Sequence, residues 1–293
     1  MAIFHLSVKL ISRSKGRSAV AAAAYRHGLR MADERTGLLH DYRAKQGIEH
    51  SQILTPPGTP GWAQDRSILW NKVERREKRR DAQLAREVEI ALPAELSPAQ
   101  RLALIRHWIK AELTDRGMIA DLALHAPGGE GDNRNFHAHI MTTLRPVEGQ
   151  EFGQKNRHWG NREMLRQWRR SWAESCNEHL AAAGSPERID HRTLRARGID
   201  RQPTIKRGQR ATAIDRRAGK TISERGALNQ AIHSQNRRRR QGRLQQVRWL
   251  RARWENMAEL AHDALHDLVR VDGGEAMKPE ALDQILETDG PVR

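Results

Sequence analysis

Period-two alternation of hydrophobic and polar side chains predicts strands in the first two hundred residues. Residues 4–10 place apolar side chains on one face and polar side chains on the other. Residues 87–92 do the same, with Glu87 and Glu89 on the polar face. Further strands are predicted over residues 38–43, 52–54, 118–124 and 136–143.

Capping residues predict where the helices begin and end. Ser18 suits the N-cap of an alanine-rich helix over residues 19–27, and Gly28 suits the left-handed position that closes it. Ser97 followed by Pro98 begins another helix. A charged helix and an amphipathic helix are predicted over residues 65–83 and 162–183. We therefore expect one mixed domain of strands and helices in this part of the chain.

The composition excludes several classes of protein. The chain has 293 residues, a formal net charge of +16 and one cysteine, Cys176. A single cysteine excludes an internal disulfide and cysteine-based zinc fingers. No apolar run approaches the roughly 18 residues that span a bilayer. We expect a cytoplasmic protein without membrane insertion.

Positive charge is concentrated in residues 201–255, which hold sixteen basic and three acidic residues. The densest stretch contains Arg237, Arg238, Arg239, Arg240 and Arg243. Such a stripe favours a polyanion-binding surface, because phosphate contacts supply most non-specific affinity for nucleic acid. A solvated charged tail is the alternative. Residues 256–293 are acidic instead, with nine acidic and three basic residues.

Two histidines at alternate positions, His137 and His139, must share one face of their predicted strand. If the strands on either side of the 126–135 loop pair as a hairpin, His125 ends the first strand beside them. Three imidazoles would then converge, and imidazole is the commonest metal ligand. The alternative is that all three are ordinary surface or core histidines.

Tyr25 and the acidic strand supply candidate catalytic groups. Tyr25 lies in the last turn of the first predicted helix. A phenol is a poor nucleophile at neutral pH unless a base takes its proton or a cation stabilises the phenolate. Glu87 and Glu89 are candidates for a metal ligand, for a group that orients one, or for a proton acceptor. Packing of the tyrosine and an exposed, ion-paired strand face are the alternatives.

Taken together, these segments resemble the MobA/MobL relaxases, which belong to the histidine-hydrophobe-histidine (HUH) endonucleases. Ala138 takes the middle place of the HUH signature. The matching segments are residues 2–6, Lys9, residues 12–13, 16–26, 33–37 and 85–93, His125, and residues 135–139 and 188–192. The set is specific as a whole, whereas each fragment alone is not.

The resemblance implies a fold and an activity. The fold would be α/β and HUH-endonuclease-like, with a largely antiparallel central sheet flanked by helices and a basic helical C-terminal extension. The activity would be site- and strand-specific nicking and rejoining of DNA at a plasmid transfer origin, which initiates conjugative mobilisation.

The resemblance also implies roles for the candidate residues. Tyr25 would attack the scissile phosphodiester and leave a 5′-phosphotyrosyl bond, with Glu87 and Glu89 as further catalytic residues. A divalent ion on the three histidines would polarise a phosphate oxygen. We expect Mn²⁺ or Mg²⁺ in use, and other first-row metals also suit imidazole ligands.

The expected substrate is a single DNA strand beside a hairpin. The candidate DNA contacts are His5, Lys9, Arg13, Arg17, Arg26, Arg237, Arg238, Arg239, Arg240 and Arg243. Accessory mobilisation proteins and a conjugative secretion and coupling system are the expected partners. Larger relatives carry a helicase or primase domain after the relaxase, so we expect another protein to supply unwinding.

We expect a relaxase domain over residues 1–205 and an extension over residues 206–293, basic and then acidic. Apolar positions from Val247 to Leu268 follow the spacing of a short coiled coil, which either forms a dimer or docks on the domain. Two rival functions remain at this point. One is a rolling-circle replication initiator with the same chemistry, and the other is a non-enzymatic nucleic-acid-binding protein.

Overall fold

Strands and helices alternate irregularly along the chain, whose computed structural model describes residues 3–128 and 133–271. In the described residues the strands are β1 (Leu6–Ser12), β2 (Arg30–Asp33), β3 (Leu38–Asp41), β4 (Ile48–Leu54), β5 (Gln83–Ala91), β6 (Ala120–His125), β7 (His137–Thr142), β8 (Val147–Glu148) and β9 (Glu151–Phe152). The helices are α1 (Ala19–His27), α2 (Arg66–Arg76), α3 (Pro98–Glu112), α4 (Arg162–Ala182), α5 (Gly208–Ala218) and α6 (Glu224–Val271).

The central sheet has five strands in the order β1, β5, β7, β6 and β4. Every pairing between neighbours in this sheet is antiparallel. Short two-stranded ribbons are formed by β2 with β3 and by β8 with β9. The predicted α/β fold with a largely antiparallel sheet is therefore confirmed.

Alternation along the strands gives the sheet two different faces. The first face packs against α3 and α4 in a core that includes Val88, Ile90, Ile140, Trp108, Trp168 and Trp172. Burial of each large aliphatic side chain in this core contributes about 1.5–3 kcal/mol. The second face packs against α1 and α2 through residues such as Ile11, Trp70 and Met141. Glu87 and His139 lie on this second face, because they alternate with residues of the first core.

The predicted helix caps of α1 and α3 are confirmed. The Ser18 side chain accepts a hydrogen bond from the Ala21 amide at 3.2 Å, and Gly28 ends α1 with a φ of 61°. Ser97 and Gln100 form a reciprocal capping box at the start of α3. These local signals fix both ends of α1, the helix that carries Tyr25.

The helix predicted over residues 65–83 is wrong in its second half, because α2 ends at Arg76. The Arg13 guanidinium, from another element, donates to the carbonyl oxygens of Glu77 at 2.7 Å and Arg79 at 3.1 Å. These carbonyls therefore do not accept from a continuing helix. The chain turns away and enters β5.

The ribbon of β2 and β3 differs from the prediction. β3 ends at Asp41, two residues before the predicted end, and β2 was not predicted at all. Four residues are too few to establish a period. The pairing of Arg30 with Asp41 and of Asp33 with Leu38 is what defines this ribbon.

The chain divides into two compact units, Met1–His191 and Arg192–Arg293. In the described part of the second unit, the helices include α5 and the 48-residue α6. A helix of that length extends about 70 Å. The predicted helical extension is therefore present, whereas the functional boundary at residue 205 stays a prediction.

Two asparagines on α6 hold the segment before α5. Asn229 donates to the Ile205 carbonyl and accepts from its amide, both at 2.9 Å. Asn236, seven residues later, makes the same pair of bonds to Gln202 at 2.8 Å. The segment is thereby fixed along α6 without being part of a helix or strand.

The apolar residues of the predicted coiled coil are exposed where their side chains are described. Val247, Leu250, Trp254 and Met257 each expose between 44% and 71% of their surface. Leu268 lies outside the described side chains, and the acidic residues after 271 lie outside the described residues. Pairing with a second copy therefore stays a prediction. No helix in the described part combines the length and apolar character that a bilayer crossing requires.

Candidate active site

Three histidines converge where β6 and β7 pair. His125 lies directly opposite His137 in the register, and His139 is two residues further along β7. The ring centroids are 5.3 Å apart for His125 and His137, 4.9 Å for His125 and His139, and 5.2 Å for His137 and His139. One nitrogen from each ring lies within 4.8 Å of the other two. The hairpin thus brings together the imidazoles that the sequence singled out.

The hydrogen bonds of these rings fit a shared metal ion. The Nε2 atom of His125 lies 2.8 Å from the Arg26 carbonyl oxygen, and Nδ1 of His137 lies 2.8 Å from the Asn135 carbonyl oxygen. The Nδ1 atom of His139 lies 2.8 Å from a Glu87 carboxylate oxygen. Each ring can therefore donate from one nitrogen and keep the other for a metal, as metal-binding histidines commonly do.

The protonation state of the histidines also suits metal binding. Burial, with a smaller contribution from the charge of Lys45, lowers the pKa of His125 to about 4. Burial also lowers the pKa of His137. Both rings are therefore neutral at physiological pH, which is the form that binds metal.

Glu87 and Glu89 lie two residues apart on β5 but have different surroundings. Glu87 is buried and binds His139 and the Arg26 guanidinium, with Arg26 Nε at 2.8 Å and Nη2 at 2.6 Å. Burial would raise the pKa of Glu87, but hydrogen bonds from His139 and Arg26 lower it to about 2. Glu89 is partly exposed and pairs with Lys9 at 2.6 Å, with His5 at 3.7 Å.

Tyr25 is held at the end of α1 with 49% of its surface exposed. Its ring meets the edge of the Tyr42 ring at a centroid distance of 5.3 Å. The ammonium of Lys45 lies 4.1 Å from the centroid of the Tyr25 ring. The next residue, Arg26, bonds to Glu87 through its side chain and to His125 through its carbonyl. The candidate nucleophile is therefore adjacent in sequence to Arg26, which contacts His125 directly.

A buried carboxylate anchors the end of α1 to the sheet. Asp121 on β6 lies 3.1 Å from Nε2 of His27, the last residue of α1. It also accepts from Arg66 and from the Trp70 indole, both on α2, at 2.8 Å. Burial would raise the pKa of Asp121, but bonds from His27 and Arg66 lower it to about 2. Its negative charge thus joins both helices to the strand that ends in His125.

The predicted DNA contacts of the first unit fall into two groups. Arg13 makes five hydrogen bonds to Glu74, Glu77 and Arg79, and Arg26 is bound to Glu87. These two guanidiniums hold protein elements together, while His5 and Lys9 pair with Glu89. Arg17 is exposed and lines a cavity of about 640 Å³. Lys78 and Arg80 also line this cavity, and among the described residues neither they nor Arg17 form an ion pair.

The predicted contacts of the second unit all lie on the exposed surface of α6. Arg239 and Arg243 pair with Asp200 at 3.0 Å and 3.2 Å. Within the described part of the chain, Arg237, Arg238 and Arg240 have no such partner. These three cations project freely into solvent.

Sequence reasoning missed Lys45 and Tyr42. Both belong to the loop between β3 and β4, which carries no motif and no periodicity. Their contact with Tyr25 joins residues about twenty positions apart, and only the packed loop reveals it. Composition was the one feature of the sequence that could have drawn attention to Tyr42, because the chain has only two tyrosines.

A model of the MobA/MobL family matches residues 17–217 of the chain. A probable conjugal transfer protein TraA of Sinorhizobium fredii is 40% identical over 279 residues, covering 83% of this chain and 25% of that protein. A mobilization protein MobL of Acidithiobacillus ferridurans is 42% identical over 257 residues, covering 75% of this chain and 65% of that protein. The chain thus spans a quarter of the TraA relative and somewhat under two thirds of the MobL relative.

A solved structure also shares the fold. It is described as the molecular basis of vancomycin resistance transfer in Staphylococcus aureus, and it superimposes with a TM-score of 0.61 at 32% identity. The likeness covers 66% of this chain and 100% of that one.

Proposed function

The chain belongs to the MobA/MobL family, and on this basis we propose that it nicks and rejoins one DNA strand at a plasmid transfer origin. The observation that carries the proposal is the convergence of three imidazoles beside the end of the helix that presents Tyr25. Nicking at the transfer origin would initiate conjugative mobilisation. The names of the TraA and MobL relatives support the same assignment.

In the proposed reaction, the Tyr25 hydroxyl oxygen attacks the phosphorus of the scissile phosphodiester. The new tyrosyl O–P bond forms as the bond to the 3′ oxygen breaks. The phenol loses a proton and the departing 3′ oxygen gains one, so a 5′-phosphotyrosyl end and a free 3′-hydroxyl remain. One phosphodiester replaces another, and the reverse attack rejoins the strand without ATP.

The three histidines would hold a divalent ion, with Glu87 orienting His139. Polarisation of a non-bridging phosphate oxygen is the chemistry that such an ion supplies when bound. Mn²⁺ or Mg²⁺ is the proposed ion in use, although imidazole ligands bind other first-row metals more tightly than Mg²⁺. The neutral state of His125 and His137 supports this role.

The proposed substrate is a single DNA strand beside a hairpin. Basic side chains that form no ion pair with the described residues would bind its phosphates. Arg17 beside its cavity and the free arginines of α6 are suited to phosphate contacts. Accessory mobilisation proteins and a conjugative coupling and secretion system are the proposed partners. Because plasmid DNA is the substrate, we place the protein in the cytoplasm.

The test uses a supercoiled plasmid that carries the transfer origin of the same replicon. We expect the wild type to nick one strand and to leave protein on the 5′ end. Tyr25→Phe should bind this DNA but form no adduct, because it lacks the attacking oxygen. His139→Ala should lose nicking, and a chelator should inactivate the wild type until Mn²⁺ is restored.

Tyr42→Phe is the matched control, because it removes the other phenol of the chain. An adduct mapped to Tyr42 or to a serine would contradict the assignment of Tyr25. Full nicking by ion-free protein would contradict the metal. If cells that carry Tyr25→Phe lose plasmid copy number while the frequency of mobilisation is unchanged, the protein is a replication initiator. Absence of any cleavage would indicate a DNA-binding protein.

A further inference from the structure

Lys45 contacts Tyr25 in two ways. Its ammonium lies over the aromatic ring at 4.1 Å from the centroid, where the negative face of the ring attracts a cation. The same ammonium donates a hydrogen bond to the Tyr25 carbonyl oxygen at 3.0 Å. One side chain therefore holds both the backbone and the ring of the candidate nucleophile.

The loop that carries Lys45 is itself fixed against the end of α1. The Lys45 amide donates to the Tyr42 carbonyl at 2.9 Å, and the Tyr42 amide donates to the Leu29 carbonyl at 3.1 Å. A Cβ atom on Gly28 would lie 3.5 Å from the Lys45 carbonyl oxygen and 3.6 Å from that of Tyr42. The loop thus packs closely on the helix cap, which determines where the Lys45 side chain begins.

Among the described residues, the Tyr25 ring has few other contacts. It lies at the surface, about half exposed, and its remaining aromatic neighbour is Tyr42 at its edge. An exposed side chain in the last turn of a helix exchanges readily between staggered rotamers. A cation over one face favours a single orientation among these.

The charge of Lys45 also acts on the histidines. After the effect of burial, its charge contributes to the lowered pKa of His125 and of His137. The charges of Arg26 and Glu87 in turn act on Lys45, whose own pKa is lowered chiefly by burial. The ammonium therefore interacts electrostatically with both parts of the site.

We propose that Lys45 is a positioning residue that holds the Tyr25 ring in the orientation required for attack on DNA. The inference rests on the proposed role of Tyr25 as the nucleophile. A change at Lys45 should therefore slow attack by DNA-bound enzyme more than it weakens DNA binding. Arginine should substitute for lysine in part, because a guanidinium is also attracted to an aromatic face and also donates hydrogen bonds.

The kinetic test compares Lys45→Met, Lys45→Arg and wild type in single-turnover adduct formation on a transfer-origin oligonucleotide. At saturating oligonucleotide, Lys45→Met should be slower by about tenfold or more, because misplacement of a reacting group by about 1 Å costs up to about a hundredfold. Its dissociation constant should change much less than its rate, and Lys45→Arg should be faster than Lys45→Met because it keeps a cation over the ring.

A structural readout comes from ¹⁹F NMR of protein labelled with 3-fluorotyrosine. The chain has two tyrosines, so Tyr42→Phe assigns the spectrum. Lys45→Met should shift the Tyr25 resonance, and Lys45→Arg should restore it toward wild type. Lys72→Met is the matched control, because Lys72 lies 4.6 Å over the Trp62 ring and is bonded to Gln150 and Glu151 elsewhere in the same unit. It should leave rate and resonance unchanged.

The results separate this inference from the proposed function. An unchanged saturated rate in Lys45→Met would overturn the positioning role, even if the Tyr25 resonance shifts. A weaker dissociation constant with an unchanged saturated rate would also overturn it, because Lys45 would then be a DNA contact. If wild type forms no adduct on Tyr25, the proposed function fails, and the ¹⁹F comparison still reports whether Lys45 contacts the ring.

Discussion

At the scale of single residues, Arg26 connects the two parts of the site. Its guanidinium binds Glu87, and its carbonyl oxygen accepts from His125. It follows Tyr25 directly in the sequence. A displacement of the α1 end would therefore move Tyr25, the proposed nucleophile, and disturb Glu87 and His125 together.

Glu87 lies 2.8 Å from Nδ1 of His139, and Glu87→Gln tests whether this contact orients the ring. The glutamine amide is uncharged, so His139 and Arg26 lose the negative charge to which both donate. The NH₂ group of the amide would also face the Arg26 donors. We expect affinity for Mn²⁺, measured by titration calorimetry, to fall by about 10- to 100-fold, as for other groups that orient a metal ligand. Glu89→Gln is the matched control on the same strand and should have a smaller effect. Equal losses in both variants would contradict the orienting role.

The same variant has a pH signature in stability. The pKa of Glu87 is lowered from 4.5 to about 2 in the folded protein. Its ionisation therefore stabilises the fold above the unfolded pKa, and this contribution is lost as pH falls toward 2. The difference in unfolding free energy between wild type and Glu87→Gln should be at most about 3 kcal/mol near pH 7. Denaturant titrations should show this difference shrinking from pH 5 to pH 3.

At the scale of elements, α1 is the short helix on which the site depends. Ser18 begins it, Gly28 ends it, and His27 is tied to Asp121. Tyr25 and Arg26 occupy its last turn. Gly28 has a second function, because the loop that carries Lys45 packs on it.

Gly28→Ala should destabilise the first unit by about 1–2 kcal/mol, because an L side chain is strained at a φ of 61°. The new Cβ would also lie 2.6 Å from the Ile48 Cδ1 atom, which must shift. Gly184→Ala is the matched control, since Gly184 has a φ of 71° with no atom within 4 Å of the added Cβ. Both variants should unfold earlier in denaturant, but only Gly28→Ala should slow adduct formation. Full activity of Gly28→Ala would show that the loop position is unimportant.

At the scale of the whole molecule, charge and candidate chemistry occupy different parts of the chain. The histidines, Tyr25 and Glu87 all precede residue 140, whereas the densest positive charge lies on α6. The α6 arginines are of two kinds, because Arg239 and Arg243 pair with Asp200. In the described part of the chain, Arg237, Arg238 and Arg240 are exposed without an ion pair.

Replacing Arg237, Arg238 and Arg240 together by Gln should weaken binding to a long transfer-origin fragment. If all three contact duplex phosphates, the slope of log affinity against log salt should flatten by about 2.7, at roughly 0.9 per contact. Cleavage of a short oligonucleotide should be unchanged. The Arg239→Gln, Arg243→Gln double variant is the control and should change the slope less. An unchanged slope in the triple variant would indicate a solvated helix that does not touch DNA.

The sequence by itself determined the features that depend on near neighbours. Alternation placed His137 and His139 on one face, Ser18 and Gly28 set the bounds of α1, and residue counts located the positive charge. Each of these follows from backbone geometry or composition within a few residues. The hairpin of β6 and β7 was a conditional prediction, because consecutive strands often pair but the eleven residues between these two do not define a turn type.

Only the tertiary structure decided which distant groups meet. Arg13, expected at DNA, instead binds residues more than sixty positions away and ends α2 early. Glu87 and Glu89 look equivalent in the strand pattern, yet only Glu87 lies beneath Arg26 and His139. Lys45 reaches Tyr25 because its loop packs on Gly28. Such contacts depend on how whole elements pack, and that packing cannot be predicted from local hydrophobic periodicity or from capping residues.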